Sequence, residues 1–154
     1  LLDMIKLLQP KQAIIFCHSR IQCDKVCGAL QRHLEGVDLL HAGLSQDVRT
    51  IILNKFRSGR VRFLVCTDVA SRGLDVSGIT HVFIYQLSDD ADVFVHRSGR
   101  TGRQDRAGMV VTLVTERELS TLKKVLRHIK KEPDWIGQPP PAVTHRRPPP
   151  RRRP

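Results

Sequence analysis

The segment of this sequence best suited to chemistry is HRSGRTGR, residues 96–103. Three arginines, Arg97, Arg100 and Arg103, and one histidine fall within it, with glycines between them. Like charges this close repel one another, so the pattern is typical of a segment that faces an anion. Arginines in such a cluster can stabilise the charge that spreads over a phosphoryl group during its transfer. A basic patch that binds nucleic acid explains the same composition, and spacing alone leaves both interpretations open.

Three further segments carry hydroxyl, glycine and cationic residues directly after short apolar runs. They are HSR at residues 18–20, HAGLSQDVR at residues 41–49 and TDVASRGLD at residues 67–75. In open α/β sheets the ligand crevice lies beyond the carboxyl ends of the strands, so these loops are candidates to hold a phosphate backbone. The plainer alternatives are that Ser19 and Ser45 cap helices, and that Arg72 and Asp75 form a surface ion pair.

Short apolar runs alternate with amphipathic segments along the chain. The runs predict strands at residues 13–17, 37–40, 62–66, 81–85 and 109–114, and the amphipathic segments predict helices at residues 20–34 and 46–57. A last helix opens with Thr115 and Glu118 in capping-box spacing. This alternation predicts an α/β fold with a doubly wound, mainly parallel sheet and helices on both faces.

The apolar positions of these helices predict the faces that are buried. The second helix is expected to bury Val48, Ile51, Ile52 and Phe56, and the last helix Leu119, Leu122, Leu126 and Ile129. Cys23 and Cys27 share the apolar face of the first helix, so they are predicted to be core residues with reduced thiols. A zinc site that joins cysteines to His18 or His33 is the alternative, although the ligand spacing matches no usual pair.

Composition indicates one globular domain with an anionic partner. The chain has 154 residues, 40% of them hydrophobic, and a formal net charge of +11, which favours nucleic acid or another polyanion. No apolar run approaches the roughly 18 residues of a membrane span. Residues 1–136 are predicted to fold, and residues 137–154, rich in proline and arginine without acid, to form a disordered tail. That tail is either a solvated linker or an arm that grips RNA.

The four motifs together carry a family resemblance. IIFCHSR, SQDVR, TDVASRGLD and HRSGRTGR resemble, in order and spacing, the second RecA-like domain of DEAD-box ATP-dependent RNA helicases. The resemblance covers about residues 1–131 and leans towards bacterial members. It departs from the family pattern at Ser88, at Phe94 and in the Ala42–Gly43 loop, which affects local loop geometry but removes no charge or hydroxyl from the proposed sites.

The resemblance implies where RNA is bound. Ser19 matches a hydroxyl that contacts RNA phosphate, Gln46 and Arg49 match a pair of which the arginine meets the RNA backbone, and Thr67 matches an RNA-contacting threonine that Asp68 follows. Arg20 and Gly43, in the same strand-end loops, complete the predicted RNA-binding set.

The resemblance also implies where ATP is bound. Gly73 and Asp75 match the segment that reaches the ribose, and Arg100 and Arg103 match the two catalytic arginines that reach the γ-phosphate, with Arg100 as the arginine finger. His96 and Arg97 are expected to couple the ATP and RNA sites through contacts to a partner lobe.

The function that follows from the resemblance is the second lobe of an ATP-dependent RNA helicase in the cytoplasm. The sequence contains neither a GxxxxGK[ST] phosphate loop nor a DEAD sequence. The ligands of Mg²⁺ are therefore expected on an N-terminal RecA-like lobe, and this chain alone is expected to be inactive. Two alternatives stay open: an RNA-binding module that works without ATP, and an assembly module in which the last helix and Trp135 bind a partner protein or a second copy.

Overall fold

The computed structural model describes residues 1–102 and 107–139. Its helices are α1 (Leu2–Leu8), α2 (Arg20–Gln31), α3 (Gln46–Arg57), α4 (Asp68–Ser71), α5 (Ala91–Ser98) and α6 (Leu119–Ile129), with a 3-10 turn at Glu116–Glu118. Its strands are β1 (Ala13–Phe16), β2 (Val37–Leu40), β3 (Phe63–Cys66), β4 (His81–Ile84) and β5 (Met109–Thr112). Most of the predicted tail lies outside the described residues, so the division at residue 136 stays a prediction. No helix among the described residues has the length and apolar character to cross a membrane.

The strands form one parallel sheet in the order β2-β3-β1-β4-β5. The register aligns Phe16 at the end of β1 with Cys66 of β3 and Ile84 of β4. The carboxyl ends of the strands therefore meet at a single edge, and the loops that carry the candidate residues leave the sheet there. The predicted α/β fold with a parallel sheet is confirmed.

Apolar side chains cover both faces of the sheet, as expected for short strands that alternate with helices. Ile14 and Phe16 pack with Ile52 and Phe56 of α3 on one face. The opposite face, which includes Ile15, packs against α1 and α2. The predicted burial of two cysteines of α2 is confirmed: both are buried, and desolvation is the main cause that raises the pKa of Cys27 to about 11.

The prediction for the buried face of α3 was wrong at two positions. Ile52 and Phe56 are buried, whereas Val48 is 42% exposed and Ile51 54% exposed. A helix of twelve residues is about 18 Å long, and strands of four residues span only about 13 Å. Val48 lies in the first turn of α3, which extends past the sheet, and Ile51 is turned about 100° away from Ile52.

Element ends and three short helices also differ from the prediction. α2 ends at Gln31 and most strands end one or two residues earlier than the apolar runs. α1, α4 and α5 were not predicted; α5 begins after Asp90, whose side chain accepts a hydrogen bond from the backbone N–H of Asp92 at 2.9 Å. The capping box of Thr115 and Glu118 is confirmed, although its first turn is a 3-10 turn that precedes α6.

Candidate functional site

The edge formed by the strand ends brings together most of the predicted RNA-binding residues. Ser19 follows β1 and caps α2 by accepting from the N–H of Gln22 at 3.3 Å. Gln46 opens α3, which Ser45 caps in the same way. Thr67 follows β3, and its N–H donates to the carbonyl of Leu40 at the end of β2. Both predicted serine caps are confirmed, and the N-termini of α2 and α3 present backbone N–H groups at this edge.

A buried histidine shapes the loop after β2. The Nδ1 atom of His41 accepts from the backbone N–H of Gly43 at 3.1 Å, and its Nε2 lies 3.2 Å from the carboxylate of Asp24. Nδ1 is thus the acceptor, so Nε2 carries the proton and donates to Asp24. A Cβ on Gly43 would lie 3.0 Å from the His41 ring and 3.4 Å from a terminal nitrogen of Arg20. Glycine at position 43 therefore lets Arg20 and His41 pack against the loop.

Arg49 lies in the first turn of α3 at the same edge. Its backbone N–H donates to the carbonyl of Ser45 at 3.0 Å. The Nε atom of Arg49 is buried and has no hydrogen-bond partner among the described residues. A buried donor without an acceptor is costly, which singles out this side chain.

Asp68 and Arg97 form a bidentate ion pair inside the domain. Nε and one terminal nitrogen of Arg97 donate to the two carboxylate oxygens of Asp68, each at 2.7 Å. The other terminal nitrogen donates to the carbonyl of Gln86 at 2.7 Å. The guanidinium also lies over the Phe16 ring, 5.5 Å from its centroid. Arg97 thus ties the end of β1 to the segments that follow β3 and β4.

This ion pair occupies the side chains of two predicted site residues, Asp68 and Arg97. The side chain of Arg97 is 2% exposed and that of Asp68 37% exposed, and the contacts of Arg97 given above all lie within this domain. Both carboxylate oxygens of Asp68 accept hydrogen bonds from Arg97, although the Asp68 side chain remains partly exposed. His96, the preceding residue of α5, is exposed. Their predicted roles in RNA binding and coupling stay predictions.

Arg100 follows α5 and lies beside a cavity. One terminal nitrogen donates to the carbonyl of Leu74 at 3.1 Å, while Nε is buried without a hydrogen-bond partner among the residues described. Arg100 and Asp75 line the same cavity of about 580 Å³. Gly73 has a φ of +73°, a left-handed conformation that favours glycine, and it shapes the turn that carries Asp75. Arg103 lies outside the described residues.

Two cations of this cavity were missed by sequence reasoning. Lys11 and Arg62 line it together with Arg100. They precede β1 and β3, whereas the candidate segments follow the strands, and no motif marks them. The proposed surface pair of Arg72 and Asp75 is absent from the ion pairs of the described residues. Within the same residues there is no group of three or more His, Cys, Asp or Glu side chains that could hold a metal ion.

These features define a parallel α/β domain that presents arginines both at the strand-end edge and beside a cavity. The model of the helicase conserved C-terminal domain matches residues 1–105, and the chain belongs to this family.

Curated relatives agree with that assignment. The chain is 37% identical over 136 residues to the DEAD-box ATP-dependent RNA helicase CshA of Bacillus subtilis, covering 88% of this chain and 28% of that protein. It is equally similar to CshA of Geobacillus kaustophilus, of which it covers 29%. The chain thus spans less than a third of the length of these bacterial relatives.

Solved structures of DEAD-box proteins superpose on this fold. Escherichia coli SrmB, bound to the regulator of ribonuclease activity A, matches with a TM-score of 0.78 and 30% identity over 86% of this chain and 77% of that one. Saccharomyces cerevisiae Dbp5 bound to RNA and ADP BeF3 gives a TM-score of 0.76 and 27% identity over 82% of this chain and 34% of that one. The predicted resemblance to a DEAD-box second RecA-like domain is confirmed.

Proposed function

We propose that this chain is the second lobe of an ATP-dependent RNA helicase, which holds the RNA backbone at the strand-end edge and presents Arg100 to ATP. One observation carries the proposal. The two arginines with a buried, unpartnered Nε among the described residues, Arg49 and Arg100, are those that the motifs assign to RNA phosphate and to the γ-phosphate. A buried unpaired donor costs about 1–3 kcal/mol, and charge-assisted hydrogen bonds from the terminal guanidinium nitrogens to an anion would offset this cost.

RNA would be bound through its backbone. Ser19 and Gly43 lie in the loops after β1 and β2, Arg20 opens α2, and Gln46 and Arg49 lie in the first turn of α3. Hydroxyls, N–H groups at helix starts and guanidinium groups all suit phosphate oxygens. Such contacts fix the position of RNA without reading its bases, so binding is expected to tolerate different sequences.

The residues beside the cavity fit a nucleoside triphosphate. The Asp75 carboxylate can accept hydrogen bonds from ribose hydroxyls, and Arg100, with Arg103, can hold the γ-phosphate. Arginines in this role stabilise transition-state charge and contribute roughly 10³–10⁵ in rate in other phosphoryl-transfer enzymes. Mg²⁺ would be held by the other lobe.

The ion pair of Asp68 and Arg97 would connect the two sites. Asp68 follows Thr67 at the RNA edge, and Arg97 lies three residues before Arg100. Movement at either end would be transmitted through two short hydrogen bonds. If RNA and ATP both bind best to the closed pair of lobes, each raises the affinity for the other, and hydrolysis releases both. We place this cycle, with local unwinding of RNA, in the cytoplasm.

The RNA side of the proposal is tested with two arginines of one helix. Arg49→Ala removes the cation at the start of α3, and Arg57→Ala, the control, removes an exposed cation from its last turn. Single-stranded RNA binding to this chain is measured by fluorescence anisotropy at several salt concentrations. Arg49→Ala should weaken binding several-fold and reduce the slope of log K against log salt by about 0.7. Equal effects of the two substitutions would contradict the assignment.

A further inference from the structure

Helix α6 has a basic face that the proposed function does not use. Leu122 and Val125 of α6 are buried. The opposite face exposes a basic stripe, and the chain has no acidic residue between Glu118 and Glu132. The basic stripe consists of Lys123, Lys124 and Arg127 of α6 and of Lys130 and Lys131, which directly follow the helix.

The cations of the basic stripe have no carboxylate partners in the part of the chain that the structure describes. The side-chain contact of α6 with a carboxylate there is made by His128, whose Nε2 lies 3.3 Å from the carboxylate of Asp92. Complementing the helix dipole explains a cation such as Arg127 in the last turn, but not Lys123 and Lys124 further back. Residues four apart on a helix lie about 6 Å from each other, so the stripe presents closely spaced charge along one line.

An exposed aromatic residue follows the basic stripe. Trp135 is 42% exposed and Ile136 54% exposed. A shallow groove of about 440 Å³ lies along the stripe and is lined by Leu126 and Glu132 together with Lys123, Arg127, Lys130 and Lys131. Sites that bind single-stranded nucleic acid usually combine cations with exposed aromatic rings, because the cations bind phosphates and the bases stack on the rings.

The basic stripe is separate from the strand-end edge described above. α6 is held on the segment between β4 and α5, where Thr121 donates to Asp89 at 2.8 Å. It is also held on the first turn of α5, where His128 contacts Asp92. None of the loops after β1, β2 and β3 contributes to the groove. Beyond Glu132 and Asp134 the sequence continues with five arginines and no acid in residues 140–154.

We propose that the basic stripe and Trp135 form a second binding surface for single-stranded RNA, which holds a segment flanking the one at the strand-end edge. The surface rests on the proposed RNA binding of this lobe and adds a site to it. RNA is favoured over an acidic protein because cations without carboxylate partners among the described residues, followed four residues after Lys131 by an exposed tryptophan, suit phosphates and bases together.

The first test neutralises the basic stripe in the 154-residue chain. The triple variant Lys123→Gln, Lys124→Gln, Arg127→Gln is compared with Lys55→Gln, Arg57→Gln, Arg60→Gln, a control of equal charge change whose residues are also exposed. With a labelled single-stranded RNA of about 20 nucleotides, the α6 triple should bind about tenfold more weakly or worse. Its slope of log K against log salt should fall by about 2, at about 0.7 per lost phosphate contact. Equal effects in both triples would overturn the proposal.

The second test uses Trp135, the one tryptophan in the sequence, as a local reporter. Titration with unlabelled RNA should quench its fluorescence in the wild type and in the control triple, but not in the α6 triple. RNA binding with unchanged emission would overturn the second surface while leaving the strand-end edge intact. A wild-type chain that binds no RNA would overturn the proposed function as well. An α6 triple that keeps its RNA affinity but loses binding to polyglutamate would identify an acidic protein as the occupant and refute RNA.

Discussion

Substituting Asp68 by Asn tests whether the buried ion pair is a connection that the domain depends on. The change keeps the shape of the side chain but removes its charge. Arg97, 2% exposed, then keeps a guanidinium charge that it cannot expose to water. The amide oxygen of the substituted side chain, the carbonyl of Gln86 and the Phe16 ring remain as its partners, and none of them carries the negative charge of a carboxylate.

The expected cost follows from the burial of the two partners. Removing one member of a fully buried pair costs about 3–5 kcal/mol. Here the Asp68 side chain is 37% exposed, so water screens part of the attraction and about 2–3 kcal/mol is the better expectation. Arg97→Met should lower the free energy of unfolding by less than Asp68→Asn does, because the Asp68 carboxylate that it leaves unpaired can turn to solvent.

The assay is a double-mutant cycle on the 154-residue chain. Urea unfolding followed by circular dichroism gives the free energy of unfolding for the wild type, Asp68→Asn, Arg97→Met and the double variant. The two substitutions should be strongly non-additive, with a coupling energy of about 2 kcal/mol. Additive costs, or a coupling energy below about 0.5 kcal/mol, would refute the view that this pair ties the strand ends together.

Two further predictions concern stability. Burial alone would raise the pKa of Glu118, but hydrogen bonds from Thr115 and from the N–H of Leu87 outweigh it and lower the pKa below 4.5. Its contribution is therefore full above pH 4.5 and lost as pH falls through the lower folded value, so the melting temperatures of wild type and Glu118→Gln should converge in acid; a constant difference from pH 7 to pH 3 argues against this. Gly108→Ala should destabilise the chain by about 1–3 kcal/mol, because its Cβ would lie 2.3 Å from the backbone nitrogen of Gly102. Gly28→Ala in α2, with open space around its Cβ, should stabilise by up to about 1 kcal/mol; the same sign for both in thermal unfolding would contradict the packing.

Much of the fold could be predicted because local patterns determine it. The apolar runs gave all five strands of the described residues, and Ser19, Ser45 and Thr115 marked helix starts through hydrogen bonds that span three residues. α5 was missed because it has eight residues and opens in an acidic segment without a clear apolar period. Val48 was misplaced because periodicity gives the face of a helix but not how far the helix extends past the sheet.

The sequence could predict which residues belong to the candidate site, but not which of them contact one another. Arginine is rarely buried, so nothing local indicated that Arg97 would pair with Asp68, 29 residues away. The hydrogen bond of His41 to Asp24 joins residues 17 apart and was missed for the same reason. Such contacts depend on which strands are neighbours, and the order β2-β3-β1-β4-β5 is a property of the folded sheet.

The central claim is that Arg100 acts on ATP while the strand-end edge holds RNA. The most direct measurement is RNA-stimulated ATP hydrolysis by a two-lobe protein in which an N-terminal RecA-like lobe is joined to this chain. Wild type is compared with Arg100→Ala and with Arg32→Ala, which removes an exposed arginine at the end of α2. Arg100→Ala should lower turnover by about 10³-fold or more with RNA affinity retained, and Arg32→Ala should match the wild type. Turnover that survives in Arg100→Ala would contradict the account and leave HRSGRTGR as a nucleic-acid contact.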